Sequence, residues 1–304
     1  MNVHITNSDL QRPPVQAQLT TSDKLSLLPG VKILLQGPGG TGKTTALCTL
    51  AERVPEVFVS FTEQGLETFL GGWTDYGRSI PSNVHWSIMN RPVGGFDILA
   101  KAANQLNTYT LDALMKMTDP DKMKNNHFET FLKSLSAPKC DHCGKTFSPV
   151  DTWGPDRVFC IDSLSGINPI VFSIVIGNKA VRTQPEWGAA MDLLEKFIKQ
   201  CTDGLKCHFI LTAHIERELD EVSGGVKLMT STLGRKLAPK LSPMFSDVIL
   251  SVREGGKFSW STANSQCDLK ARNLPWADGI PPTFTAIMAK WHSRGGEFVQ
   301  GVKK

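Results

Sequence analysis

Apolar residues in this chain come in brief unbroken runs separated by longer amphipathic stretches, and that alternation predicts its architecture. Val31 to Gln36, Val57 to Thr62, Val158 to Ile161 and His208 to Thr212 are runs of buried-strand type, too short for helices. Thr44 to Val54 and Trp187 to Ile198 carry apolar residues at helical spacing. Strands that alternate with helices predict an α/β fold, a mostly parallel central sheet flanked by helices. Toward the end, Phe245 to Val252 and Lys257 to Thr262 predict a C-terminal β-hairpin across Glu254-Gly255-Gly256.

The segments between these runs set the expected boundaries. Residues 1–27 are polar and interrupted by Pro13-Pro14, and they read as an N-terminal arm. Residues 28–275 hold the strand and helix alternation and read as one core, and residues 276–304 read as a C-terminal tail. Within the core, about 97–155 reads as an insertion: Asp97 to Leu135 is helical in composition, and Pro138 to Pro155 is irregular and contains Cys, Gly and Pro. After Ile215 the chain is glycine-punctuated and basic to about Pro243.

Composition narrows the class. Hydrophobic residues make up 40% of the chain and charged ones 20%, which excludes disordered and collagen-like proteins. The most apolar stretch, Pro169 to Gly177, is far too short to span a bilayer, so no membrane partner is expected. Seven cysteines without framework spacing, and no apolar opening segment, point to reduced thiols and a cytoplasmic location. The net charge of +4 is small, but Val222 to Arg272 carries eight basic residues against three acidic ones. A polyanion site and a solvated face are both compatible with that excess.

The strongest chemical signal is Gly37-Pro38-Gly39-Gly40-Thr41-Gly42-Lys43-Thr44, followed by Thr45. It fits G-x-x-x-x-G-K-[ST] and lies between a predicted strand and a predicted helix, the context the motif requires. The glycines let backbone N–H groups turn toward phosphate oxygens, Lys43 supplies a cation for the β and γ phosphates of ATP, and the Thr44 hydroxyl is a ligand for Mg²⁺. Such a loop needs a carboxylate on a neighbouring strand to hold the magnesium water shell, and Asp162, directly after four apolar residues, is placed to supply it. Glu63 follows the second predicted strand and is the candidate for orienting the attacking water. His214 ends another strand and is a candidate contact for the γ-phosphate, with a hydrogen-bonded structural histidine as the alternative.

Taken together, the loop, Glu63, Asp162-Ser163, the polar residue at 214 and the basic segment after it resemble the RecA-type recombinase ATPase core. Within that superfamily the sequence looks most like small phage-encoded RecA-like ATPases of single-strand annealing and recombination, which would set it in a bacterial host cell. The resemblance covers roughly residues 28–275 and implies an ATP hydrolase that uses Mg²⁺, binds single-stranded DNA and assembles as a homo-oligomer, ring or filament. A single-strand-binding protein is a further partner it suggests. Position by position, Lys43, Thr44 and Asp162 would hold Mg-ATP, Glu63 would position water and His214 would sense the γ-phosphate. Ser165 to Arg182 and Glu216 to Lys240 would be the two DNA-facing loops, the second carrying Lys227, Arg235, Lys236 and Lys240. Lys270 and Arg272 resemble the basic pair that reaches a neighbour's nucleotide in trans. Two departures stand out: Lys43 and Asp162 lie 119 residues apart, more than a minimal core needs, and His214 is not the usual recombinase residue.

Two further features stay open at this level. Cys140-Asp-His-Cys143-Gly is half of a tetrahedral Zn²⁺ site, with His142, His127, Asp151 or a neighbouring subunit to complete it, or else a surface turn with two thiols. Trp187, Trp260 and Trp276 lie near the expected DNA-facing region, where rings stack on bases, although core packing is the commoner fate of tryptophan. The rival to a DNA-dependent ATPase is a nucleotide-gated switch that docks a protein partner and leaves its basic loop solvated. A small-molecule kinase is weaker because there is no lid-like arginine cluster.

Overall fold

The computed structural model describes residues 28–89, 96–117, 127–177, 181–219 and 224–298. The expected N-terminal arm lies outside the described residues. Seven strands form one sheet in the order β3 (Val84–Ile88), β2 (Glu56–Phe61), β4 (Arg157–Asp162), β5 (His208–Ala213), β1 (Lys32–Gln36), β8 (Asp247–Glu254), β9 (Lys257–Ser261). All neighbouring pairs are parallel except β8 and β9, which are joined as an antiparallel hairpin. A separate antiparallel ribbon, β6 (Ile215–Leu219) and β7 (Val226–Thr230), follows β5.

Alternation along the central strands builds two cores, one on each face of the sheet. Val57, Val59, Phe61, Val158, Cys160 and Ile210 belong to the face covered by α1 (Lys43–Leu47), α2 (Leu66–Thr74) and α9 (Thr285–Ser293). Phe58, Phe159, Ile161, Phe209 and Leu211 face the other way, against α5 (His127–Ser136), α6 (Leu164–Ile176) and α7 (Gln184–Lys199). Each such side chain, fully buried, contributes roughly 1.5–3 kcal/mol, so strands that are apolar on both faces can only lie inside.

Four expectations change. Residues 276–298 of the expected C-terminal tail pack on the core: Phe284, Ile287, Met288 and Trp291 are buried in the α1 and α2 face, and Ile280 bridges Trp260 of β9. Ser165 to Arg182 is not an exposed loop over its first half, because Ile167, Ile170, Val171 and Phe172 of α6 are all buried. The helix expected to reach Val54 is shorter, five α-helical residues and then a 3₁₀ turn at Cys48–Leu50, where the Thr49 hydroxyl bonds back to the Ala46 carbonyl. Glu216 to Lys240 is a ribbon followed by α8 (Ala238–Met244) rather than one loop.

The insertion contains α3 (Phe96–Thr108), α4 (Leu111–Lys116) and α5, then the cysteine-bearing turn. Its second half is part of the core: Phe128, Phe131, Cys140, Phe147, Val150 and Trp153 all pack with the sheet. β3 has no counterpart among the predicted runs, since Val84-His-Trp-Ser-Ile88 alternates apolar and polar positions. Among the described residues no helix is long and apolar enough to cross a membrane.

Candidate functional site

The carboxyl ends of β1, β2, β4 and β5 open onto one cleft, lined by Gly40 to Thr44, Glu63 to Gly65, Thr68, Asp162, Ser163 and His214. β1 ends at Gln36, and the chain turns through Gly37 to Gly42 before α1 begins at Lys43. A Cβ at Gly37 would lie 2.5 Å from the Ser251 carbonyl oxygen of β8, so the first turn fits only without a side chain. Gly42, the residue before the helix, has φ +84°, a left-handed conformation that favours glycine. The loop is braced from outside by the Ser251 hydroxyl, which donates to the Thr41 carbonyl at 2.8 Å, and from inside by the Thr41 hydroxyl, which donates to the Pro38 carbonyl at 2.9 Å.

Lys43 is buried, and its ammonium donates to the carbonyls of Gly37 and Pro38, each at 2.7 Å. Burial lowers its pKa to about 8, against the opposing pull of the Asp162 and Glu63 carboxylates. Thr44 donates its hydroxyl to Asp162 Oδ2 at 2.7 Å, and Thr45 is exposed on α1. Asp162 is only 6% exposed, and its Oδ1 accepts from the Thr212 hydroxyl of β5. Burial raises its pKa, while the hydroxyls of Thr212 and Thr44 pull it down. A carboxylate in that position is costly unless a cation joins it. The oxygen donors Thr44 and Asp162 suit Mg²⁺, and they already touch.

Glu63 lies beside them. The Ser163 hydroxyl donates to Glu63 Oε2 at 2.7 Å, and His214 Nε2 is 3.4 Å from the same oxygen. His214 is the main cause that lowers the Glu63 pKa, with burial opposing, so the carboxylate stays ionised at neutral pH. Lys43, Thr44, Glu63, Asp162 and His214, assigned separately along 172 positions of sequence, therefore meet in one cleft. Sequence reasoning assigned no role to Ser163 or Thr212. The signal for Thr212 is a single hydroxyl in an otherwise apolar run.

The other candidates lie elsewhere. Lys270 and Arg272 sit at the amino ends of β1 and β8, across the sheet from the cleft: Lys270 bridges Val248 and donates to the Phe245 carbonyl at 2.7 Å, and burial lowers its pKa. The Arg272 backbone N–H donates to Asp247. Three of the four cations expected to face DNA are in ion pairs: Lys227 with Asp268 at 3.1 Å, Arg235 with Glu218 at 3.0 Å, and Lys240 with Glu195 of α7 at 2.6 Å. Lys236 is exposed. Lys240 belongs to α8, which packs against β7, and its ammonium is turned to Glu195 of α7. Of the tryptophans, Trp260 is buried against Phe284, Trp187 packs on Phe172, and Trp276 is 66% exposed.

The cysteine-bearing turn docks on β3. Cys140 is buried and Cys143 exposed, and the side chain brought to them is His85. His142 is occupied otherwise, stacked on Trp86 with ring centroids 4.9 Å apart. All seven cysteines are unpaired.

No protein-family model matches the chain, and no curated protein matches it. Among solved structures, a prototypical ATPase from the type III secretion system of pathogenic bacteria superposes with a TM-score of 0.33 and 12% sequence identity, over 74% of this chain and 53% of that one. The chain thus spans about half the length of that ATPase. A likeness at this level leaves fold and function to be argued from the chain's own residues, and these make an α/β protein with a mostly parallel sheet and a glycine-rich loop between β1 and α1.

Proposed function

We propose that this protein is an ATP hydrolase whose nucleotide cycle controls the β6–β7 ribbon. The observation that carries the reading is the convergence of Lys43, Thr44, Asp162 and Glu63 at the carboxyl ends of the strands, where ligands bind in open α/β sheets. The loop from Gly37 to Gly42 would wrap the phosphates, and Lys43 would exchange its two loop carbonyls for phosphate oxygens. Thr44 and Asp162 would hold Mg²⁺, which neutralises phosphate charge when bound. Glu63, oriented by Ser163 and His214, would accept a proton from the attacking water or hold that water in line with the γ-phosphate.

His214 links this chemistry to the ribbon. β6 begins at the next residue, and the Ser231 N–H donates to the His214 carbonyl at 2.8 Å, closing the ribbon's base. We infer single-stranded DNA as the ribbon's ligand, met by Lys227, Arg235 and Lys236 with Lys240 behind them, in a homo-oligomer where Lys270 and Arg272 reach the neighbour's cleft. Annealing or recombination would be the task served, in a bacterial host cell, alongside a single-strand-binding protein. The second reading is a nucleotide-gated switch for a protein partner. It is favoured by the ion pairs on Lys227, Arg235 and Lys240, which leave a phosphate chain fewer unopposed cations.

Steady-state ATP hydrolysis by wild type and Lys43→Ala, with and without single-stranded DNA at low and moderate salt, tests both. Turnover that DNA stimulates and Lys43→Ala abolishes supports the DNA reading. Turnover indifferent to DNA moves the function to the protein switch, and wild type inert toward ATP under every condition defeats the hydrolase.

A further inference from the structure

We propose that His85, Cys140 and Cys143 bind a zinc ion that fastens the insertion to the edge of the sheet. The three offer one imidazole nitrogen and two sulfurs within 4.8 Å of one another. Cys143 Sγ lies 3.4 Å from His85 Nδ1. A tetrahedral ion with Zn–S of about 2.3 Å and Zn–N of about 2.0 Å sets that separation near 3.5 Å, so the two atoms already stand at the spacing of a shared metal. His85 is 3% exposed and comes from β3, some fifty residues before the cysteines, which is why a local motif did not reveal it.

The surroundings are built for a ligand set rather than for a free turn. The turn closes on itself: Gly144 N–H donates to the Cys140 carbonyl at 2.9 Å, Cys140 N–H to the Lys145 carbonyl at 2.8 Å, and Gly144 takes φ +72°. It is also pinned to β3, since Asp141 N–H donates to the Trp86 carbonyl at 2.9 Å and the Asp141 carboxylate accepts from Ile88 N–H at 2.7 Å. On the far side of the imidazole, buried His85 Nε2 has no hydrogen bond within ordinary reach, and Glu56 Oε1 lies 3.6 Å away. A carboxylate behind a metal-bound histidine fixes the ring and raises its basicity. Glu56 is itself held by Lys145 and by Arg157.

Two thiolates and one neutral imidazole balance the dication's charge. The Asp141 carboxylate is turned to Ile88 N–H and the His142 ring lies on Trp86, and among the described residues neither joins the three ligands. Cys143 is exposed, so a water molecule would complete the tetrahedron. The inference stands apart from the nucleotide site and would survive its failure.

The test is metal binding by the full-length chain, reduced, stripped with a chelator and titrated with Zn²⁺ against a chromophoric competitor, then with Co²⁺ for thiolate charge-transfer and tetrahedral d–d bands. One equivalent with a two-thiolate cobalt spectrum is expected, with zinc raising the melting temperature. Cys143→Ser, a surface change that leaves circular dichroism intact, abolishes stoichiometric binding, as does His85→Gln. Glu56→Gln weakens affinity about 10- to 100-fold, and His142→Ala leaves it unchanged. X-ray absorption of the zinc-loaded chain counts two sulfurs and an imidazole. No metal at micromolar zinc, binding untouched by His85→Gln, or binding lost with His142→Ala would each overturn the proposal.

Discussion

The two ends of β1 carry the same kind of residue in opposite roles. At its start, Lys32 is buried and donates to the carbonyls of Leu205 at 2.8 Å and Cys207 at 2.5 Å; past its end, across the loop at the first residue of α1, Lys43 is buried and donates to those of Gly37 and Pro38. Burial lowers both ammonium groups. What differs is the company. Lys32 also lines a cavity, but its nearest polar neighbours are main-chain carbonyls and a neutral imidazole: burial holds His208 down at about 3, its Nδ1 accepts from Val31 N–H, and the one carboxylate that acts on Lys32, Asp203, is exposed. Nearby Asp247, fully buried, accepts from the N–H groups of Arg272 and Asn273 and from the Asn273 amide. Around Lys43 lie two carboxylates, a hydroxyl and a histidine in an open cleft. A buried lysine marks a ligand site only where the acids beside it still lack a cation.

That contrast is breakable by substitution. Lys43→Ala should lower kcat for ATP by on the order of 10³-fold, about 4 kcal/mol, with the melting temperature nearly unchanged, whereas Lys32→Met should leave kcat intact and lower the melting temperature. Asp247→Ala strands three donors and should cost about 3 kcal/mol in chemical denaturation, with turnover per folded molecule unaltered. Glu63→Gln should reduce kcat about 10²-fold, while nucleotide affinity, read by fluorescence titration, stays within about threefold.

The pH dependence sharpens the same point. The Lys43 ammonium loses its proton above about 8 in the free protein, and phosphate binding needs it charged. Affinity for ATP should therefore be level below pH 8 and fall about tenfold per unit above it, until the pKa of the bound form is passed. Glu63 is also shifted down, chiefly by its His214 partner, and its charge is lost only below the ordinary glutamate range, so no acid limb from it is expected at neutral pH. The smallest effect belongs to the ribbon: changing Arg235 and Lys236 to Ala should alter stability by under about 1 kcal/mol, yet lower the salt slope of single-strand binding by about 1 for each phosphate no longer neutralised.

Much of the sheet was legible because its strands are apolar on both faces: β1, β2, β4 and β5 need no partner to be recognised. β3 was not among the unbroken apolar runs, because Val84-His-Trp-Ser-Ile88 alternates apolar and polar positions, a strand pattern too short to stand out alone. α6 failed for the opposite reason, as a helix apolar all round reads in sequence like a strand or a linker. In the cleft, charged residues after apolar runs stood out, but Ser163 and Thr212 did not, because hydroxyls acquire meaning only from the carboxylate they face. The third sulfur-and-nitrogen partner was invisible for want of any local spacing.

The two borders of the sheet are both occupied from within the chain. Beyond β3, the turn at Asp141 takes up the Trp86 carbonyl and the Ile88 N–H; beyond β9, Ile280 exchanges bonds with Trp260, and the Ala277 carbonyl accepts from Thr262 N–H. Such borders offer a visiting strand little main chain to zip onto, which guards against amyloid-like stacking. At these two borders a second copy would have to meet side chains rather than main chain, and a union formed there would be sensitive to salt and to point changes.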